Sequence, residues 1–459
     1  MLKDIFREYD IRGIVGYELN QISIKAIGKE LGAVMKERGV KNVSVGYDAR
    51  LSAPELFDYL LSGLNANDLE IFDIGLLATP VGYYSVFSGV FDANIMITGS
   101  HNPKEYNGFK ITIGTDSFFG DDITKLGQRV CALVDSKEQI PNNTKCQKYD
   151  ILSKYVDFFT QCFAHLKGFD LPFVCDCANG AAGVSLEAII KALDLNAHIL
   201  YPKPDGNFPN HHPDPSVAEN LQDLKMALNS GKFALGFGFD GDGDRIAVLS
   251  KKRLIKGDEL AYLYALNMKN PRVLGEVKCS QNMYDQIDKI GKTFMGKTGH
   301  SNIKKAMKEL NIDMAAEVSG HIFFKERFFG FDDAVYAAMR VLELCAKGVD
   351  LDAKLDQLPK LYSTDEIKIN SSDKNKFIIV EEIKNALNTA DLPQILNVID
   401  IDGVRVRFKD GWALVRASNT TPVLVTRFEA NSQENLSLIQ EKFTALINKI
   451  SSNFKDNNE

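Results

Sequence analysis

Nowhere do the 459 residues offer the run of about 18 consecutive apolar positions that a membrane-spanning helix needs. The opening "MLKDIFREYDIRG" is charged from its third residue and contains no apolar signal core. The seven cysteines, at 131, 146, 162, 175, 177, 279 and 345, form no Cys-x-x-Cys pair, and only Cys175 and Cys177 come close, inside a stretch that reads as a strand. Buried, reduced thiols of a cytoplasmic protein are the expectation. A cationic surplus is missing too. With 54 Lys and Arg against 61 Asp and Glu, the net charge of −7 argues against bulk binding to nucleic acid or a membrane surface. An anionic ligand would need a local basic pocket, so individual Arg and Lys positions matter more than their total. The expected partners are small molecules, and the expected state is a monomer or a weak homodimer.

What is present is a globular composition, 45% hydrophobic and 25% charged, in a chain long enough for three or four domains. Three segments share one plan of strand, helix, strand, helix, strand and abrupt polar loop. The first runs through "NVSVGYD", "LEIFDIG" and "NIMITGSHNP"; the second through "PFVCDCANG", "AHILYP" and "ALGFGFDGDGDR"; the third through "RVLGEVKCS", "KTFMGKTG" and "DMAAEVSGHIFF". Near-continuous apolar strands alternating with helices imply largely parallel sheets covered on both faces. The remainder alternates like antiparallel strands through "RVRFKDGWALVRASNTTPVLVTRFEA" and closes on a helix through "SQENLSLIQEKFTALINKI", with a tail, "SSNFKDNNE", expected to fray. The fold class is therefore α/β: three similar α/β domains with mixed, largely parallel sheets plus a smaller C-terminal α+β domain around a central cleft. The expected divisions are 1–149, 150–252, 253–362 and 363–459. Ligands of open parallel sheets sit beyond the carboxyl ends of the strands, so the loops after the three third strands are candidate walls of one cleft.

The second of these loops is the plainest chemically. Asp240, Asp242 and Asp244 alternate with Gly241 and Gly243, crowding three carboxylates into one place unless a cation neutralises them, and an oxygen-only set suits Mg2+, Ca2+ or Mn2+. A helix-loop-helix calcium site would need Gly and Glu where this chain has Arg245 and Lys251. The loop "RASNTTP" gathers Arg416, Ser418, Asn419 and Thr420, donors suited to a phosphate, with Arg407 and Arg427 on the adjoining strands. "EVSGH" sets Glu317, Ser319 and His321 on alternate positions at a strand end, and a carboxylate beside a hydroxyl can read vicinal sugar hydroxyls. Lys297 and His300 follow another strand of the same segment. In this company Ser100, in a loop expected to be exposed, is positioned to carry a phosphoryl group, with His101 and Lys110 close by in sequence.

These four loops, in this order and together with "FREYDIRG" at 6 to 13 and "DGNFPNHHPDPS" at 205 to 216, resemble the α-D-phosphohexomutase superfamily, and its bacterial phosphomannomutase/phosphoglucomutase branch in particular. The resemblance covers essentially the whole chain. It implies a resting phosphoserine at Ser100, Mg2+ held by Asp240, Asp242 and Asp244 beside the seryl phosphate, and sugar hydroxyls read by Glu317 and Ser319. It also implies a grip by Arg416, Ser418, Asn419 and Thr420 on the phosphate not being transferred, and a cleft lined by Tyr9, Arg12, His101, Lys110, Arg245, Lys297, His300 and His321. Ala316 departs from the family's frequent Gly before the sugar-reading Glu. The implied reaction interconverts hexose 1-phosphate and hexose 6-phosphate, of mannose or glucose, through a bound hexose 1,6-bisphosphate. Gly99 and "EVSGH" tilt the substrate away from glucosamine phosphate. A phosphoglucosamine mutase and a non-catalytic sugar-phosphate-binding regulator are the alternatives; no P-loop or kinase signature supports a kinase.

Overall fold

The computed structural model describes residues 2–419 and 421–454. Four sheets follow one another along it. The first three repeat one arrangement, in which the leading strand lies between the second and third as a parallel neighbour of both. In the first sheet these strands are Asn42–Tyr47, Glu70–Leu76 and Ala93–Ile97. In the second they are Phe173–Asp176, Ala197–Leu200 and Leu235–Phe239, and in the third Arg272–Glu276, Lys292–Gly296 and Met314–Ala316. Each third strand then turns back on an antiparallel partner: Tyr106–Ile113, Ile246–Leu249 or Ile322–Phe324. The polar loops of the sequence are these three turns. Ala93–Ile97 and Leu235–Phe239 are buried along their whole length, as helices on both faces require.

Helix starts follow local chemistry. Asn20 caps Gln21–Glu37 by accepting from Ile22 N and Ser23 N, Pro54 occupies the first turn of Ala53–Leu64, and Asp333 caps Ala334–Ala346 by accepting from Tyr336 N. Aromatic rings from the first three sheets' helices and loops share one core; Phe328 stacks on Tyr336 with centroids 4.0 Å apart, and Tyr83 meets Phe331 at 5.6 Å. The fourth sheet is antiparallel, its central strands Val404–Phe408, Gly411–Ala417 and Val423–Ala430, under the helices Lys376–Ala386 and Gln433–Ser452. No helix among the described residues is long and apolar enough to cross a membrane.

As expected of a loop at a strand end, "EVSGH" begins where the strand stops at Ala316, and residues 317–321 form a turn through Gly320, whose φ of +96° suits glycine. Two expectations are corrected. The C-terminal helix continues to Ser452, and Phe454 packs on the fourth core, so the tail is ordered that far; residues 455–459 lie outside the described residues. Finally, Arg427 is buried and donates to the Lys278 carbonyl, while Arg407 is exposed, so neither joins the phosphate-loop cluster. Arg427 instead fastens the fourth sheet to the third. Arg405 does the same, donating to the carbonyls of Val277 at 2.6 Å and Cys279 at 2.8 Å with its guanidinium 3.9 Å from the Trp412 ring.

Candidate active site

Ser100 leaves the buried strand Ala93–Ile97 in the left-handed region, with φ of +47°, a conformation that costs a non-glycine residue about 1–3 kcal/mol. Contrary to the expectation of an exposed loop, Ser100 is only 3% exposed, roofed by the turn of the second sheet. Gly241 makes that approach possible, since a Cβ there would come within 2.6 Å of the Ser100 carbonyl. The Ser100 hydroxyl lies 3.1 Å from Asp240 Oδ2, to which it donates, and 3.1 Å from His101 Nδ1. Arg12, on the strand Ile11–Ile14, donates to the Gly99 carbonyl and to Asn102 Oδ1 at 2.9 Å, and pairs with Asp10.

Opposite the serine, Asp240, Asp242 and Asp244 are fully buried, with carboxylate oxygens within 4.8 Å of one another. Lys110 donates to Asp242 at 2.8 Å and to Asp244 at 2.5 Å, and Thr79 donates to Asp242 at 2.6 Å. Burial works against charge on both Lys110 and Asp242, yet their mutual attraction wins: the lysine is held well above its ordinary range and the aspartate below its own. Asp240 goes the other way, driven well above the carboxylate range by burial and by its two acidic neighbours. One ammonium thus faces three carboxylates, and Asp242 Oδ1 and Asp244 Oδ1 are buried without a hydrogen-bond partner. Two orphaned acceptors in an under-neutralised oxygen cluster fit a divalent cation.

From there a chain of contacts crosses the cleft. Arg245 Nε donates to His321 Nε2 at 2.9 Å, which places the proton of a neutral His321 on Nδ1, 2.8 Å from Asp332. Asp244, His321 and Asp332 also come within 4.8 Å of one another, with Lys304 paired to Asp332 at 3.2 Å, and despite their close approach His321 Nδ1 and Asp332 Oδ2 are buried without a hydrogen-bond partner. His321 stacks on His300 with centroids 5.8 Å apart, and burial pushes His300 well below the usual imidazole range. Tyr9 meets the His300 ring at 6.2 Å, donates to the Thr298 carbonyl at 2.9 Å and accepts from Asn419 at 2.6 Å, so a residue of the first unit touches the third and fourth.

The far wall carries the remaining residues. Glu317 is buried and accepts from Gly299 N at 2.8 Å; Ser319 is half-buried in the same turn, and Lys297 is exposed. Arg416 donates through Nε to Asp402 at 3.0 Å, and Asp402 also accepts from Thr298 N at 2.9 Å, tying the fourth sheet's loop to the third unit. Ser418 and Thr421 hydroxyls lie 2.8 Å apart. Thr420 lies outside the described residues. The sequence reading missed Asp48, Arg50, Asp332, Lys304 and Asp402. Each is buried or half-buried and acts through another side chain or the backbone; the signal available for Asp48, Arg50 and Asp402 was an Asp or Arg shortly after a strand, whereas Lys304 lies inside the helix His300–Glu309 and Asp332 in the loop before Ala334, where no local pattern marks them.

Matches to models of known families run the length of the chain: phosphoglucomutase/phosphomannomutase alpha/beta/alpha domain I over residues 3–136, domain II over 153–253, domain III over 256–362 and the C-terminal domain over 366–446. The chain belongs to the phosphoglucomutase/phosphomannomutase family. Among its relatives, a phosphomannomutase/phosphoglucomutase of Pseudomonas syringae pv. tomato is 42% identical over 97% of this chain and 95% of that protein. A phosphoglucomutase of Neisseria gonorrhoeae is 39% identical over 97% of both. The crystal structure of a phosphoglucomutase/phosphomannomutase family protein from Burkholderia thailandensis superposes with a TM-score of 0.88 at 36% identity, covering 98% of each chain. The family's four-unit architecture is the one described above.

Proposed function

We propose that this family member is a phosphohexomutase that interconverts the 1- and 6-phosphates of mannose and glucose, with Ser100 as phosphoryl carrier and Mg2+ as its metal. The observation that carries the reading is a serine held in a strained backbone conformation, its hydroxyl 3.1 Å from an acidic cluster that one lysine cannot neutralise. The relatives' names point the same way.

Asp240, Asp242 and Asp244 would hold the metal, which when bound offsets charge on the phosphoryl oxygens. The phosphorus–Oγ bond of phosphoserine breaks as a bond forms to the free hydroxyl of a hexose 1-phosphate, giving the 1,6-bisphosphate. The hydroxyl proton passes to His321, whose Nδ1 is backed by Asp332, once Arg245 turns from Nε2 to the phosphoryl oxygens. Lys110 and Arg12 supply positive charge around the moving group, and such preorganised charge is most of what this transfer needs. The sugar then turns end for end and returns its other phosphate to Ser100. Arg416, Ser418, Asn419 and Thr420 hold whichever phosphate is idle, while Glu317 and Ser319 read ring hydroxyls. The nearly enclosed serine favours keeping the bisphosphate over losing phosphate to water.

A coupled assay of mannose, glucose and glucosamine 1-phosphates, each with a trace of its 1,6-bisphosphate, tests the assignment. Mannose and glucose phosphates are expected to be turned over; activity confined to glucosamine 1-phosphate would replace the substrate, and none on any would remove the function.

A further inference from the structure

The least explained group beside the site is a fully buried arginine. Arg50 follows the strand Asn42–Tyr47, and its side chain has no solvent exposure. Both outer nitrogens of its guanidinium donate into the serine loop. Nη1 donates to the carbonyls of Pro103 at 2.7 Å and Tyr106 at 2.8 Å, and Nη2 to those of Ser100 at 2.8 Å and Asn102 at 2.6 Å. Nε lies 3.4 Å from Asp48. Asp48 in turn accepts from Thr98 Oγ1 at 2.7 Å and Gly99 N at 3.2 Å, and Thr98 Oγ1 accepts from Ser100 N at 2.8 Å.

The geometry points to Asp48, Arg50 and Thr98 as positioning residues that hold the carrier serine in its left-handed conformation. This inference rests on the reading of Ser100 as the carrier. A turn that presents one residue at positive φ rotates its carbonyls away from the cleft, and buried carbonyls need donors. Arg50 supplies four from a single rigid fork, which a lysine's compact ammonium cannot reproduce. The fit is tight from both sides. A Cβ on Gly99 would fall 2.3 Å from the guanidinium, and the second unit closes the other side through Phe208, whose ring lies 5.7 Å from it, and Gly206, where a Cβ would meet the Ala49 carbonyl at 2.5 Å. His212 donates to the His101 carbonyl at 2.6 Å from the same segment, so "DGNFPNHHPDPS" braces the serine loop from behind. Releasing the brace displaces Oγ without touching phosphate or sugar, and misplacement by about 1 Å costs an enzyme on the order of 100-fold in rate.

The test compares Arg50→Lys, Thr98→Val and Thr98→Ser with the parent, reading thermal midpoint, phosphoryl occupancy of Ser100 by intact mass after glucose 1,6-bisphosphate, and kcat and KM for glucose 1-phosphate. Thr98→Val keeps the volume and cuts the link from Asp48 to Ser100 N, so it remains informative if Arg50→Lys fails to fold. The expected result is a kcat lowered about 30- to 300-fold in Arg50→Lys and about 10-fold or more in Thr98→Val, with KM within threefold. Thr98→Ser should recover most of the loss. A folded fraction of Arg50→Lys or Thr98→Val with parental kcat, or a loss falling on KM instead, overturns the inference. Parent protein that takes up no phosphoryl on Ser100 would instead overturn the carrier reading, so the two failures are separable.

Discussion

Replacing Arg416 with alanine should weaken substrate binding while sparing the chemical step. The side chain is 6% exposed, and Asp402 accepts from its Nε at 3.0 Å, an anchor already in place before substrate arrives. If the guanidinium grips the idle phosphate, the contact exists in ground and transition states alike, and uniform binding of this kind appears in KM. A hydrogen bond to a charged group contributes about 1.5–3 kcal/mol, so KM for glucose 1-phosphate should rise about 10- to 150-fold with kcat within threefold. The same rise should appear with glucose 6-phosphate, because the idle phosphate meets the same loop in both sugar orientations. Asp402→Asn is the graded control: the arginine remains but loses its anchor, and a smaller KM increase, under about tenfold, is expected. Steady-state kinetics in both directions decide it. An unchanged KM with kcat down a hundredfold would put Arg416 at the transferring phosphate and refute the division of labour between the loops.

Asp242→Ala should abolish turnover and remove one of the two carboxylates that Lys110 donates to, and a chelator should silence the parent reversibly on adding Mg2+; chelator-resistant activity contradicts the metal reading. Mannose and glucose 1-phosphates should differ by less than about tenfold in kcat/KM, since Glu317 and Ser319 would read hydroxyls the two sugars share, and Glu317→Ala should impair both alike; a gap beyond about a hundredfold, or a loss confined to one sugar, refutes shared readers. Burial raises Asp333 to about 7, so between the unfolded carboxylate value of about 4 and pH 7 the folded chain binds the extra proton and stability falls as pH rises through that window. Asp333→Asn should therefore show a shallower loss of melting temperature than the parent from pH 5 to 8, and parallel curves would remove Asp333 as the cause.

The regular elements were legible because their signals are local. "NVSVGYD" and "NIMIT" are short strands separated by helical stretches, as covered parallel strands require, and the threefold recurrence of that strand–helix pattern marked which loops share an edge of their sheets. The acidic triad was legible because three carboxylates within five residues repel one another unless a cation sits among them. Less legible was anything acting at long range. Arg427 sits next to the phosphate loop in sequence, yet its fork reaches the Lys278 carbonyl 149 residues away, and no pattern near either residue distinguishes an interface arginine from a ligand one. Tyr9 reaches Asn419 across 410 residues, and Arg50 supports a serine loop 50 residues on. The place of "EVSGH" at a strand end was legible, but the form of its turn was not: the reversal depends on Gly320 at positive φ, which the letter Gly permits but does not dictate.

The central claim is that Ser100 carries the phosphoryl group through every turnover. Parent and Ser100→Ala proteins incubated with glucose 1,6-bisphosphate, freed of ligand and analysed by intact mass and peptide mapping, test it most directly when the parent is then mixed with glucose 1-phosphate in a single turnover. One phosphoryl group is expected on Ser100 of the parent and none on the mutant, with transfer to the sugar at a rate no slower than kcat. A parent with no adduct, an adduct that discharges more slowly than kcat, or a fully active Ser100→Ala would contradict it.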